Sequence, residues 1–116
     1  MTSRRANYKR GIAAEYVALI YLMFKGYLPL AMRFKTTVGE IDLVMRRGRT
    51  LVFVEVKARK TMGDAAASIH ATNQSRVVRA SQVFLTTRPH YQSLQVRFDA
   101  VLIAWYTLPH HQPNAF

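Results

Sequence analysis

Hydrophobic positions along this chain change their spacing several times, and each change predicts an element. From Gly11 to Lys25, the residues Ile12, Tyr16, Leu19, Ile20 and Met23 recur at helical spacing, which predicts one face able to bury. Gly26 follows as a C-terminal stop, because it accepts left-handed backbone without a Cβ clash. Tyr27 to Phe34 predicts a strand, and Pro29, which cannot donate to a ladder, puts it at a sheet edge. After a turn over Lys35 to Gly39, Glu40 to Arg46 alternates: Ile41, Leu43 and Met45 point one way, Glu40, Asp42 and Val44 the other. Arg47 and Gly48 predict a hairpin reversal.

Thr50 to Ala58 is the strongest strand, with the nearly unbroken apolar run Leu51, Val52, Phe53, Val54 and Val56 of a central strand covered on both faces. A basic loop over Arg59 to Gly63 leads into helix from about Ala65 to Thr87. A break is expected near Ala71 to Asn73, with Gln74, Val78, Ser81 and Leu85 sharing a face. Arg88 to Ser93, with Pro89, connects to a last strand, Leu94 to Tyr106, carrying Val96, Phe98, Ala100 and Leu102 on one side. Met1 to Lys9 predicts a loose basic arm, and 108–116, with Pro109 and Pro113, an irregular mobile tail. The order is helix, three strands, helix, strand, an α/β arrangement in a single domain over 10–107.

Length and composition narrow this further. The chain has 116 residues, half of them hydrophobic, which suits one compact core and excludes a wholly disordered chain. Lys and Arg number 17 against 6 Asp and Glu, a formal charge of +11, which predicts an anionic partner. Cysteine is absent, so disulfides, thiolate zinc sites and a cysteine nucleophile are excluded, and a cytoplasmic location is the default expectation. Arg4, Arg5, Lys9 and Arg10 before the apolar run Ile12 to Phe24 imitate a signal peptide. Glu15 interrupts that run and no small-x-small cleavage site follows, so the segment reads as a core helix with no membrane role.

The candidate chemistry lies at one strand end. Alternation puts Glu55 and Lys57 on the same face of the central strand, and a short hairpin brings Asp42 beside Glu55. An isolated Glu-x-Lys in a strand is ordinarily an ion pair. Asp42 in register, with its Gly39-Glu40-Ile41-Asp42 lead-in, makes two carboxylates and a lysine in one small volume. Two carboxylates are hard oxygen ligands for Mg²⁺ or Mn²⁺, and a neighbouring lysine can orient water or stabilise a phosphoryl transition state. Glu15, the acidic residue of the first helix, is a further candidate, with a solvated helix carboxylate as the plain alternative. Gln74 can orient water or touch a phosphate, although an ordinary helix amide is the simpler reading. Arg59, Lys60, Arg76, Arg79 and Arg97 are candidates for phosphate contact. Asp99 reads as structural, His110 and His111 as inert, and Trp105 with most tyrosines as core, leaving one or two aromatics able to stack on unpaired bases.

"GEIDLV" at 39–44 and "LVFVEVKAR" at 51–59, with "RGIAAEYVALIYLMFKGY" before and "RFDAV" after, resemble the YraN-type (UPF0102) family of small bacterial proteins. The resemblance implies a restriction-endonuclease-like PD-(D/E)XK fold, a mixed central sheet flanked by helices in the order αβββαβ, similar to that of Holliday-junction resolvases. By position it implies Asp42 as the motif aspartate, Glu55 and Lys57 as its Glu-x-Lys pair, and Val56 as a backbone-carbonyl ligand of the metal. It further matches Glu15 to the acidic residue of the first helix and Gln74 to a glutamine of the second. The chain departs from the family in having Asn73-Gln74 where Lys-Gln is usual, and it lacks a literal Pro-Asp because Ile41 precedes Asp42. The expected function is a metal-dependent endonuclease acting on DNA in preference to RNA, branched DNA included, as a homodimer. The alternatives are a nucleic-acid-binding module with an idle site and a basic adaptor.

Overall fold

The computed structural model describes residues 4–71 and 74–116. Helix α1 spans Arg4–Phe24, strands β1, β2 and β3 span Leu28–Lys35, Glu40–Arg47 and Thr50–Arg59, and helices α2 and α3 span Met62–Ala71 and Gln74–Thr87. Strands β4 and β5 span Gln95–Ala104 and His110–Gln112. The five strands form one mixed sheet in the order β1-β2-β3-β4-β5, parallel only between β3 and β4. The chain is thus α/β, with β1 at an edge and β3 in the centre. The helical break expected near 71–73 separates α2 from α3, although residues 72 and 73 themselves lie outside the described residues.

Alternation along β4 sorts the core into layers. Val101 and Ile103 pack with α1 on one face. Phe98 joins the cluster under α3, and Ala100 and Leu102 the cluster under α2, on the other. Under α3, Phe84 meets Phe34 and Phe53 edge-on at centroid distances of 5.3 and 5.7 Å and stacks on Tyr91 at 5.9 Å.

Several expectations change. Helix α1 begins at Arg4, so the loose arm shrinks, and residues 1–3 fall outside the described residues. Its buried stripe is Ala14, Ala18 and Leu22, whereas Tyr16, Ile20 and Met23 are about half exposed. Small side chains let the helix axis approach the sheet closely, and hydrophobic periodicity, weighted to large residues, misses such a stripe. The buried face of α3 is likewise Val77, Ala80, Ser81 and Phe84, rotated from the predicted one. Trp105 and Tyr106 are not core but exposed.

The carboxyl-terminal stretch is not wholly irregular, because β5 pairs with β4. Nor is His111 inert. Its Nε2 lies 2.7 Å from Asp99 Oδ2, and its Nδ1 lies 2.6 Å from Lys25 Nζ. A lysine ammonium can only donate, so Nδ1 accepts and Nε2 carries the proton given to Asp99. Fully buried Asp99 also receives both Nε and Nη2 of Arg97, and the Asn114 N–H. Burial pushes the Asp99 carboxyl up, but the hydrogen bonds from His111 and Arg97 outweigh it and hold the group below the usual carboxylate range. Asp99 is therefore the tie between strand and tail, and Arg97 is committed to it and to the Tyr27 hydroxyl (2.7 Å), not to the phosphate-binding surface proposed for it.

Candidate functional site

The site forms where the sheet opens. Paired residues of β2 and β3 run from Arg47–Thr50 to Leu43–Val54, and the next step of that register sets Asp42 opposite Glu55. Here β2 leaves strict alternation: Leu43 and Met45 pack with α1, while Ile41 crosses to the α3 cluster. The expectation that Ile41, Leu43 and Met45 share one face is corrected accordingly. At this point Asp42 Oδ2 accepts the Val56 N–H at 2.8 Å. Meanwhile β3 continues alongside β4 as far as Arg59–Ala104, so its C-terminal half borders an open cleft of about 920 Å³.

Gly39 holds the lead-in to Asp42 by close approach. A Cβ there would sit 2.0 Å from the Arg76 carbonyl oxygen, so only glycine lets β2 enter beneath the first turn of α3. The preceding turn is closed by Thr36, whose hydroxyl donates to the Gly39 carbonyl at 2.7 Å and accepts the Gly39 N–H at 3.0 Å.

Asp42, Glu55, Lys57 and Glu15 all line the cleft, joined by Glu40. Lys57 Nζ is 3.0 Å from Glu55 Oε1, so the ordinary strand ion pair exists, but as part of a larger group. Asp42 and Glu55 lie close enough that each alters the other's proton affinity. Burial, then the Asp42 charge, raise the Glu55 carboxyl to about 7. Burial raises Asp42 as well, against the opposing Val56 N–H and Lys57. Glu15 is pushed to about 7, first by burial and then by Asp42. Its Oε2 is buried with no hydrogen-bond partner, and its nearest cation is Arg33, with Nε 3.6 Å away.

Arg33 stands opposite Asp42 in the β1–β2 register and has φ +53, unusual for a residue with a Cβ. Nothing in the sequence marks Arg33, and Glu40 was visible only as part of the lead-in.

Of the basic candidates, Arg59 and Lys60 line the cleft, together with Arg10 of α1. Arg76 and Arg79 lie on α3, exposed and outside the lining, as does half-buried Gln74 at its start. Trp105 and Tyr106 complete the rim.

Among the described residues, no three His, Cys, Asp or Glu side chains converge closely enough to hold a metal by themselves. Two paired carboxylates with raised proton affinity nevertheless fit a cation such as Mg²⁺, which commonly takes one or two carboxylates and keeps several waters. No helix among the described residues is long and apolar enough to cross a membrane.

The profile of the uncharacterised protein family UPF0102 matches residues 14–103. A UPF0102 protein of Methylorubrum extorquens (strain PA1) is 51% identical over 97% of this chain and 88% of its own length. Those of Rhodopseudomonas palustris (strain BisB18) and Nitrobacter winogradskyi are 49% and 46% identical over 97% of this chain, covering 84% and 96% of theirs. The cleft carboxylates and Lys57 thus fall inside the matched segment, and the chain belongs to the UPF0102 family.

Proposed function

We propose that this chain is a metal-dependent endonuclease of the restriction-endonuclease-like, PD-(D/E)XK type, hydrolysing phosphodiester bonds in DNA, branched DNA included. The observation that carries the reading is the meeting of Asp42, Glu55 and Lys57 where the β2–β3 ladder ends and a cleft opens. The Asp42 and Glu55 carboxylates and the Val56 carbonyl would hold Mg²⁺ or Mn²⁺. Such an ion supplies Lewis-acid polarisation of the phosphoryl group and acidifies bound water.

The protein's own groups do the rest. The Val56 N–H fixes one Asp42 oxygen at 2.8 Å. Lys57, 3.0 Å from Glu55, would orient the attacking water and offset charge on the phosphoryl oxygens. Glu15, held against Arg33, would accept a proton from water at the α1 side of the cleft. Arg59, Lys60 and Arg10 would bind flanking phosphates. Symmetric cutting of two strands needs two sites, so the working unit is taken as a homodimer.

A second reading, a nucleic-acid-binding module with an idle site, draws on the closed Glu55–Lys57 pair at 3.0 Å. Cleavage of linear, single-stranded, flapped and four-way-junction DNA and structured RNA, with Mg²⁺, Mn²⁺ or chelator, separates them. The enzyme reading expects cutting that chelator stops and that Asp42→Ala or Lys57→Ala lowers by roughly a hundredfold or more. Undiminished cutting in those variants rejects the site, and tight binding without cutting favours the module.

A further inference from the structure

Two aromatic side chains at the mouth of the cleft are unexplained by hydrolysis. Tyr106 is 100% exposed and Trp105, the sole tryptophan, 42% exposed. Both follow directly on β4, in a turn closed by the Thr107 N–H on the Ala104 carbonyl at 2.9 Å. Because β4 runs parallel to β3 with Ala104 beside Arg59, the two strands end together, and the aromatic turn emerges next to Arg59 and Lys60. Both rings line the same cleft as Asp42, Glu55 and Lys57.

Two adjacent exposed rings on a charged cleft form a contact surface, and the chemistry around them selects its partner. An apolar protein helix would set its charged flanks against Arg10, Arg59 and Lys60, and would gain nothing from the carboxylates within. A nucleic-acid strand answers both features, since its phosphates meet the cations and its bases offer flat faces. In a continuous duplex those faces are already stacked on each other. Only an unpaired or displaced base has a face to give. Resting on the nuclease reading above, we infer that Trp105 and Tyr106 form a stacking platform for an unpaired nucleobase beside the scissile phosphate. The substrate is then a strand with single-stranded or branched character, not uninterrupted duplex. The two residues determine specificity and leave the hydrolytic groups untouched.

The lone tryptophan makes the platform directly observable. Trp105 emission is followed while wild type and Tyr106→Ala are titrated with a short single-stranded oligodeoxynucleotide, the matching blunt duplex, and that duplex with an unpaired flap. Ca²⁺ replaces Mg²⁺ so that binding is read without cleavage, and circular dichroism checks the fold of the variant. Quenching by the single strand and the flap, with Tyr106→Ala binding them roughly 5- to 150-fold more weakly and the duplex unchanged, is the expected result. Equal affinity for duplex and single strand, or binding that leaves Trp105 emission unmoved, overturns the platform. Quenching with the expected preference, but no cutting of the same oligonucleotides in Mg²⁺ or Mn²⁺, overturns the nuclease reading and leaves the platform standing. Failure to bind any of the three overturns both.

Discussion

Neutralising Glu55 should stabilise the metal-free protein at alkaline pH. Glu55 is buried next to Asp42, and its carboxyl is raised from 4.5 to about 7. In that interval the folded chain keeps a proton that the unfolded chain has lost, so stability is full below 4.5 and falls as pH rises through 7. The loss from this group amounts to about 2–3 kcal/mol between pH 5 and pH 8, with part of it shared by the neighbouring Asp42. Glu55→Gln keeps the shape and removes the ionisation. Urea denaturation of both proteins in chelator, at pH 5 and pH 8, gives a difference of differences in which titrations elsewhere cancel. We expect wild type to lose about 2 kcal/mol more than the variant over this range. A divalent cation should then restore wild type at pH 8 by binding the ionised pair, and help the variant less. Parallel pH profiles for the two proteins would refute the claim that burial beside Asp42 governs Glu55.

Other perturbations test other parts of the structure. Gly39→Ala must displace the Arg76 carbonyl, so it should cost about 1–3 kcal/mol in denaturant midpoint and impair whatever activity Asp42 supports. Phe84→Ala empties the ring cluster with Phe34, Phe53 and Tyr91 and should cost about 3–5 kcal/mol, measured the same way. His111→Ala removes a link between Asp99 and Lys25, so limited proteolysis should cut the carboxyl-terminal segment faster than in wild type; an unchanged rate would show that β5 pairing alone holds it. If two copies pair through the exposed α1 side chains Tyr16, Ile20 and Met23, wild type sediments as a dimer and Ile20→Glu as a monomer.

Most element types, and the meeting of Asp42, Glu55 and Lys57, were legible in residue order. The run Leu51 to Val56 can be satisfied only in the middle of a sheet, and Pro29 only at its margin, so both were placed without tertiary information. Two-residue periodicity brought Glu55 and Lys57 together, and a tight reversal brought Asp42 to them, because these are local consequences of strand geometry. What followed from packing was not legible. Ala14 and Ala18 lie against the sheet while Ile20 faces outward, because the closeness of helix to sheet depends on side-chain size on both surfaces at once. Arg33 reaches Glu15, and His111 reaches Asp99 and Lys25, through pairings distant in sequence that no spacing rule encodes. Trp105 read as core within the last strand, but it lies beyond the last β4 pair, where the sheet no longer covers it. Sequence order thus determined which groups could do chemistry. The tertiary structure alone decided how deeply they are buried, and burial raises the proton affinities of Glu15, Asp42 and Glu55.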